Sequence, residues 1–321
     1  MLHINYRKIY ILAGIFMVGS LSFSTHATII ASVKPIGLIA ASIADGITSV
    51  IVLLPDGESV HNYALRPSDI KHLKKAELVI WVGPAMEAFM SQAISNLPIQ
   101  NSVEIDKIPD VQSLLLSNIK NKKIKNNYTH ALKKNIAYQK NLQNTHYNSE
   151  YNMHLWMSPE IAKKTALAIY AQLLDRMPMK KDKLNANLKY FQNTILVANK
   201  KIHKQLASLK DKKYFVFHDA YIYFEKYYNI TPTGYFTINP EIQPGAKRLH
   251  QIRMELDKQK GICVFSEPQF RPMLVKMFSH QNNVRSGTLD PLATGISLNK
   301  DGYAQFLIRL ADQYTSCLQG S

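Results

Sequence analysis

From Thr28 onward, short apolar runs alternate with amphipathic stretches in two successive blocks, a pattern that confines the chain to an α/β fold built on parallel sheets. In the first block Ile29–Val33, Ser49–Leu54 and Leu78–Val82 read as strands. Pro35–Ala44 sets Ile36, Ile39, Ala40 and Ile43 on one helical face before Gly46 ends it, and Pro67–Ala76 turns Ile70 and Leu73 inward. Gly83-Pro84 is expected to open a further helix carrying Met86, Phe89, Met90 and Ala93. Ser158-Pro159 supplies an N-cap and first-turn pair for a helix through Leu174, and Leu184–Leu209 continues as a second long helical stretch. The alternation then resumes: strand Tyr214–Phe217, helix Ala246–Gln259 burying Leu249, Ile252 and Leu256, strand Ile262–Phe265, and Arg285–Leu289 running into Asp290-Pro291. Two α/β lobes joined by a long helical region is the simplest architecture, with ligands expected beyond the carboxyl ends of the strands.

Two segments stand outside this pattern. Residues 1–27 have the layout of a cleavable secretory signal peptide: Arg7 and Lys8, an apolar run from Ile9 to Leu21, and a polar stretch ending in Thr25-His26-Ala27. The run is short against the about 20 apolar residues of a membrane span. No Cys lies near the cleavage point, which argues against a lipid anchor. Residues 117–150 hold seven Lys and eight Asn against one acid, Glu150, with almost no apolar periodicity. A solvated insertion without a fixed fold is predicted there.

A formal net charge of +16 raises nucleic acid as a partner, but only eight of the 39 cations are Arg. The forked guanidinium that phosphate and base readers favour is scarce, so nucleic-acid binding is not expected. The two cysteines, Cys263 and Cys317, form no C-x-x-C, and an even pair in an exported chain is expected to be bridged.

No phosphate-binding glycine loop, dinucleotide fingerprint, nucleophile elbow or H-E-x-x-H occurs. The histidines are more informative. His61 lies in the loop after the Ser49–Leu54 strand, His154 four residues before the N-cap Ser158, and His218 directly after the strand Tyr214–Phe217. All three fall where such lobes present ligands, and neutral imidazole suits zinc and other first-row divalent metals. Asp290 could fill a fourth position, although Asp-Pro by itself more often marks a turn start. His72, His203, His250 and His280 fall in helical or helix-end stretches beside Lys or Arg and read as surface residues.

Several long stretches resemble the periplasmic metal-binding proteins of ABC transporters: Leu53–Asp69, Val82–Glu87, Met153–Glu160 and Tyr214–Tyr221. Asn239–Ala246, Cys263–Phe270 and Gly287–Pro291 are similar to the zinc branch in particular, the solute-binding proteins of high-affinity zinc uptake systems. The resemblance implies two Rossmann-like (β/α)4 lobes joined by a long rigid backbone helix, with the metal in the cleft between them. It divides the chain into a signal peptide (1–27), an N-terminal lobe (28–180), a linking helix (181–210) and a C-terminal lobe (211–321). It also implies His61, His154 and His218 as metal ligands and Cys263–Cys317 as a disulfide.

Some zinc-branch members carry a Glu before the first ligand His; here that residue is Val60. The fourth ligand therefore lies between Asp290, Glu58 and water, with Asp290 the first candidate because the matching residue completes the site in manganese-binding relatives. The insertion is Lys- and Asn-rich where relatives often carry His and acids, so a metal-gathering role there is expected to be lost. The expected function is periplasmic capture of Zn²⁺ as transported ligand, without bond chemistry, and hand-off by a monomer to an inner-membrane ABC permease with its cytoplasmic ATPase. Asp219, Glu267, Tyr63 and Tyr223 are candidates to orient the ligand imidazoles. Manganese or iron capture on the same fold is the alternative. A zinc hydrolase using Glu267 as its base is a distant third.

Overall fold

The structure, a computed structural model, describes residues 28–98, 101–117, 150–258, 261–270, 278 and 284–319. The expected signal peptide, all but the ends of the Lys/Asn-rich insertion, and His280 lie outside the described residues. The described ends of the insertion meet in an antiparallel bridge between Ser117 and Tyr151.

Two parallel sheets of four strands each are formed among the described residues. The first comprises β1 (Thr28–Ala31), β2 (Ser49–Val52), β3 (Leu78–Trp81) and β4 (Ser102–Glu104), in the order β2-β1-β3-β4. The second repeats that order with β5 (Tyr214–His218), β6 (Gly234–Thr237), β7 (Cys263–Ser266) and β8 (Arg285–Thr288) as β6-β5-β7-β8. The central strands are apolar on both faces because both faces are covered, as parallel sheets require. Along β1, Ile29 and Ala31 enter the main core while Ile30 joins a smaller cluster with Leu73, Val79, Trp81 and Met90. Along β5, Tyr214 and Val216 enter the same main core, and Phe215 and Phe217 pack on the outer face with Phe236, Ile252 and Val264.

Helices α1 (Lys34–Ile43), α2 (Pro67–Lys75), α3 (Ala88–Ser95) and α4 (Pro109–Gln112) belong to the first block. They are followed by α5 (Pro159–Arg176), α6 (Lys181–Leu206), α7 (Ile222–Tyr228), α8 (Ala246–Asp257) and α9 (Gly302–Leu318). Ser158 caps α5, its hydroxyl accepting from the Ile161 amide at 3.2 Å. At 26 residues, α6 spans about 39 Å. It buries Leu184, Asn187, Phe191, Ile195, Ala198, Ile202 and Leu206 at helical spacing. Asn187 Nδ2 donates to the carbonyls of Ile43 and Asp45, both at 2.9 Å, tying α6 to the end of α1. The C-terminal helix α9 packs on both α6 and α1. Its first residue must be Gly302, because a Cβ there would sit 2.6 Å from Leu38 Cδ2 and 2.9 Å from the Ser297 carbonyl. One main apolar core therefore runs from β1 through α6 to α9 without a break between lobes. Cys263 on β7 and Cys317 on α9 are disulfide-bonded.

The elements differ from expectation in two ways. The helix expected to open at Gly83-Pro84 begins at Ala88 instead. Gly83 takes φ +141°, and the Asp106 carboxyl sits where its Cβ would be, at 2.7 Å. That backbone turns Pro84–Met86 away from a helical path. The edge strands β4 and β6 and the helices α4 and α7 were not anticipated; each is only three to seven residues long, too short to show a period.

Candidate metal centre

His61 stands in the turn after β2, its backbone N–H donating to Ser59 Oγ at 3.2 Å. His154 immediately precedes the single turn Leu155–Met157 that leads into α5, and His218 is the last residue of β5. One ring nitrogen from each of the three lies within 4.8 Å of the others. Their ring centroids are 5.0 to 5.4 Å apart. Among the described residues no other group of three or more His, Cys, Asp or Glu side chains has this geometry. His72, His203 and His250 are exposed, as expected.

Two of the rings are held by acceptors that settle their tautomers. His218 Nδ1 faces Glu267 Oε1 at 2.7 Å, and both groups are buried. His154 Nδ1 faces Asn152 Oδ1 at 3.0 Å, and the same oxygen accepts the His154 backbone N–H at 3.0 Å. A carboxylate and an amide oxygen only accept, so Nδ1 carries the proton in both rings and Nε2 presents a lone pair. Those two Nε2 atoms lie 3.2 Å apart. Two bare lone pairs at that distance repel unless a cation lies between them. The edge of a tetrahedron with Zn–N bonds of about 2.0 Å is itself about 3.3 Å.

Asn152 is a residue that sequence reasoning missed. Its Nδ2 donates to the Asp219 carbonyl at 2.6 Å, and its own carbonyl accepts from Tyr223 Oη at 2.7 Å. Tyr223 and Asp219 thus support His154 through Asn152, while Glu267 touches His218 directly. Tyr63 instead donates to Asp69 at 2.8 Å and, pushed up to about 12 by burial and by that carboxylate, does not orient an imidazole. The signal for Asn152 was its place two residues before His154, the spacing of a side chain that bonds backbone two residues on.

The structure does not bring Asp290 or Glu58 into the imidazole group. Asp290 is buried, and both its oxygens are in use. Oδ1 accepts from Gln269 Nε2 at 2.9 Å and Leu292 N at 3.0 Å, and Oδ2 accepts from Thr294 N at 2.6 Å. This is the turn-start alternative of the Asp-Pro pair. Glu58 is exposed and paired with Arg66 at 3.3 Å. Around the imidazoles the pocket is walled by Val60, Trp156, Phe270, Pro291 and Leu292, with Gln269 and Glu267 as its other polar side groups besides Ser59. Trp156 is fixed by its indole N–H, which donates to the Pro291 carbonyl at 2.8 Å. The space left is about 10 Å³, enough for the centre of one small ion or water.

Two parallel α/β lobes on a shared core, with three imidazoles converging between them from the ends of both sheets, define a solute-binding protein of the metal-binding class. The chain belongs to the family of the periplasmic component A of zinc-uptake complexes, whose model matches residues 29–317. It is 46% identical to the high-affinity zinc uptake system protein ZnuA of Yersinia pestis, over 99% of this chain and 100% of that protein. It is 38% identical to the ZnuA of Haemophilus ducreyi, over 91% and 94% of the two chains. In fold it is similar to a crystal structure of ZnuA (TM-score 0.71, 20% identity, 91% and 99% covered). It is equally similar to the periplasmic zinc-binding protein TroA of Treponema pallidum (TM-score 0.72, 18% identity, 91% and 99% covered).

Proposed function

We propose that this protein captures Zn²⁺ in the periplasm on His61, His154 and His218 and delivers it to an inner-membrane ABC permease driven by a cytoplasmic ATPase. The observation that carries this reading is the pair of Nε2 atoms at 3.2 Å, each with its Nδ1 held by an acceptor. Three neutral imidazoles leave one tetrahedral position, which goes to water, because Asp290 is spent on its turn and on Gln269 and Glu58 is exposed beside Arg66. Imidazole must be unprotonated to bind, so acid favours release. The apolar core shared by both lobes argues for small movements on metal loss rather than wide hinge closure.

This donor set favours zinc over manganese, which prefers more oxygen ligands. The hydrolase reading loses its base, since Glu267 is bonded to His218 Nδ1. The protein is a carrier, not an enzyme. We further infer that residues 1–27 are a cleaved export signal and that the protein acts as a monomer without a nucleic-acid partner. Titrating metal-free mature protein with Zn²⁺ and Mn²⁺ tests the reading. Tighter zinc binding that is lost in His154→Ala is expected, and tighter manganese binding would overturn it.

A further inference from the structure

Gln269 follows β7 by three residues and lines the imidazole pocket. Its amide has a defined orientation. Nε2 is 2.9 Å from Asp290 Oδ1 and 3.5 Å from Thr294 Oγ1. A carboxylate cannot donate, so the nitrogen end must face Asp290 and the oxygen end must face away from it. Gln269 Oε1 is buried and accepts no hydrogen bond from the protein. An unsatisfied amide oxygen on a residue that lines the imidazole pocket is costly while the pocket is empty and useful once it is loaded.

On the zinc reading above, we propose that Gln269 Oε1 accepts a hydrogen bond from the water that completes the zinc's tetrahedron, and that Asp290 is the positioning residue that holds this amide. Zinc withdraws electron density from a bound water and makes its protons strong donors. A fixed neutral oxygen receives such a proton without adding negative charge that would slow release to the permease. The other walls of the pocket, Val60, Trp156, Phe270, Pro291 and Leu292, are apolar. Glu267 has Oε1 on His218, and its Oε2, like Gln269 Oε1, is buried without a hydrogen-bond partner, but it belongs to an acid, whereas the Gln269 oxygen is neutral. Gln269 thus gives the fourth position one oriented acceptor. Asp290 then acts on the metal at one remove, through Gln269 and not as a ligand.

The test measures zinc affinity of the metal-free mature protein by competition with a chromogenic chelator. The variants are Gln269→Leu, Asp290→Asn, the double variant and His218→Ala, with zinc X-ray absorption on those that bind. Gln269→Leu is expected to weaken zinc about 10- to 100-fold, the range for losing an outer-sphere partner, while the spectrum keeps three imidazoles and one light oxygen. Asp290→Asn is expected to weaken zinc by itself and to add nothing in the Gln269→Leu background, a non-additivity that a merely structural Asp290 would not show. If Asp290→Asn does not fold, Gln269→Leu alone decides.

Wild-type affinity in Gln269→Leu, with His218→Ala unable to bind, overturns this proposal and leaves the three-imidazole site standing. Loss of the light oxygen in Gln269→Leu shows direct ligation and overturns the water-mediated role. Wild-type affinity in His218→Ala overturns the site itself, and this proposal with it.

Discussion

The two lobes have the same strand order but place different residues at the ends of their central and third strands. In the N-terminal lobe the residue after β1 is Ser32, and the buried carboxyl that follows β3 is Glu87. Glu87 lies beside the Ser32 hydroxyl and accepts the backbone N–H groups of Val82 at 2.7 Å and Gly83 at 3.3 Å. Burial pushes it up to about 7, the neighbouring Asp106 adds to the rise, and the hydrogen bonds oppose it. In the C-terminal lobe the central strand ends at His218, and the buried carboxyl after β7 is Glu267, bonded to that imidazole. One topology thus yields a carboxyl that serves the backbone in one lobe and one that holds an imidazole of the proposed site in the other. The first lobe contributes its imidazoles to the proposed site from elsewhere, His61 after β2 and His154 beyond the insertion.

His218→Ser gives the second lobe the first lobe's residue. It should lower zinc affinity by more than about a hundredfold, beyond the range seen for supporting groups, as measured by chelator competition. The disulfide ties the second sheet to the C-terminal helix, which also packs on α6 and α1. Cys263→Ser with Cys317→Ser should cost about 2–4 kcal/mol in denaturant unfolding and leave zinc affinity of the folded protein unchanged.

Glu87→Gln separates the two carboxyls by pH. Its pKa in the folded protein, about 7, lies above the 4.5 of a free Glu. The stability it contributes is therefore complete below 4.5 and lost as pH rises through about 7. The Gln variant should escape that loss, gaining on the order of a few kcal/mol over the parent between pH 4.5 and 8 in unfolding titrations, with zinc affinity unaltered. Glu267→Gln should do the reverse, weakening zinc about 10- to 100-fold because His218 loses its charged partner. Equal effects of the two Gln variants on zinc would break the comparison.

The three imidazoles were legible because each falls at the end of β5, in the loop after β2 or shortly before the helix cap Ser158, places that local pattern exposes. The strands of the sheet interiors were legible for the same reason, as continuous apolar runs. Glu267 was legible as a candidate partner but not its choice of His218, which depends on pairing between β5 and β7. Asp290 stands outside the imidazole group for a physical reason. Its carboxylate is claimed by amides two and four residues on and by Gln269, 21 positions earlier, and only the last lies beyond local sequence. Asn152 and Gln269 are neutral amides, which sequence reading has little cause to single out until their hydrogen bonds are seen. The edge strands β4 and β6 are too short and too mixed in composition to show a period.

The central claim is that three imidazoles and no carboxylate hold the zinc. X-ray absorption at the zinc edge of the loaded mature protein measures this directly. The account predicts three imidazole nitrogens and one solvent oxygen, all at about 2.0–2.1 Å, unchanged in Asp290→Ala apart from occupancy. A carboxylate oxygen in the wild-type spectrum that disappears in Asp290→Ala, or fewer than three imidazoles, would contradict it.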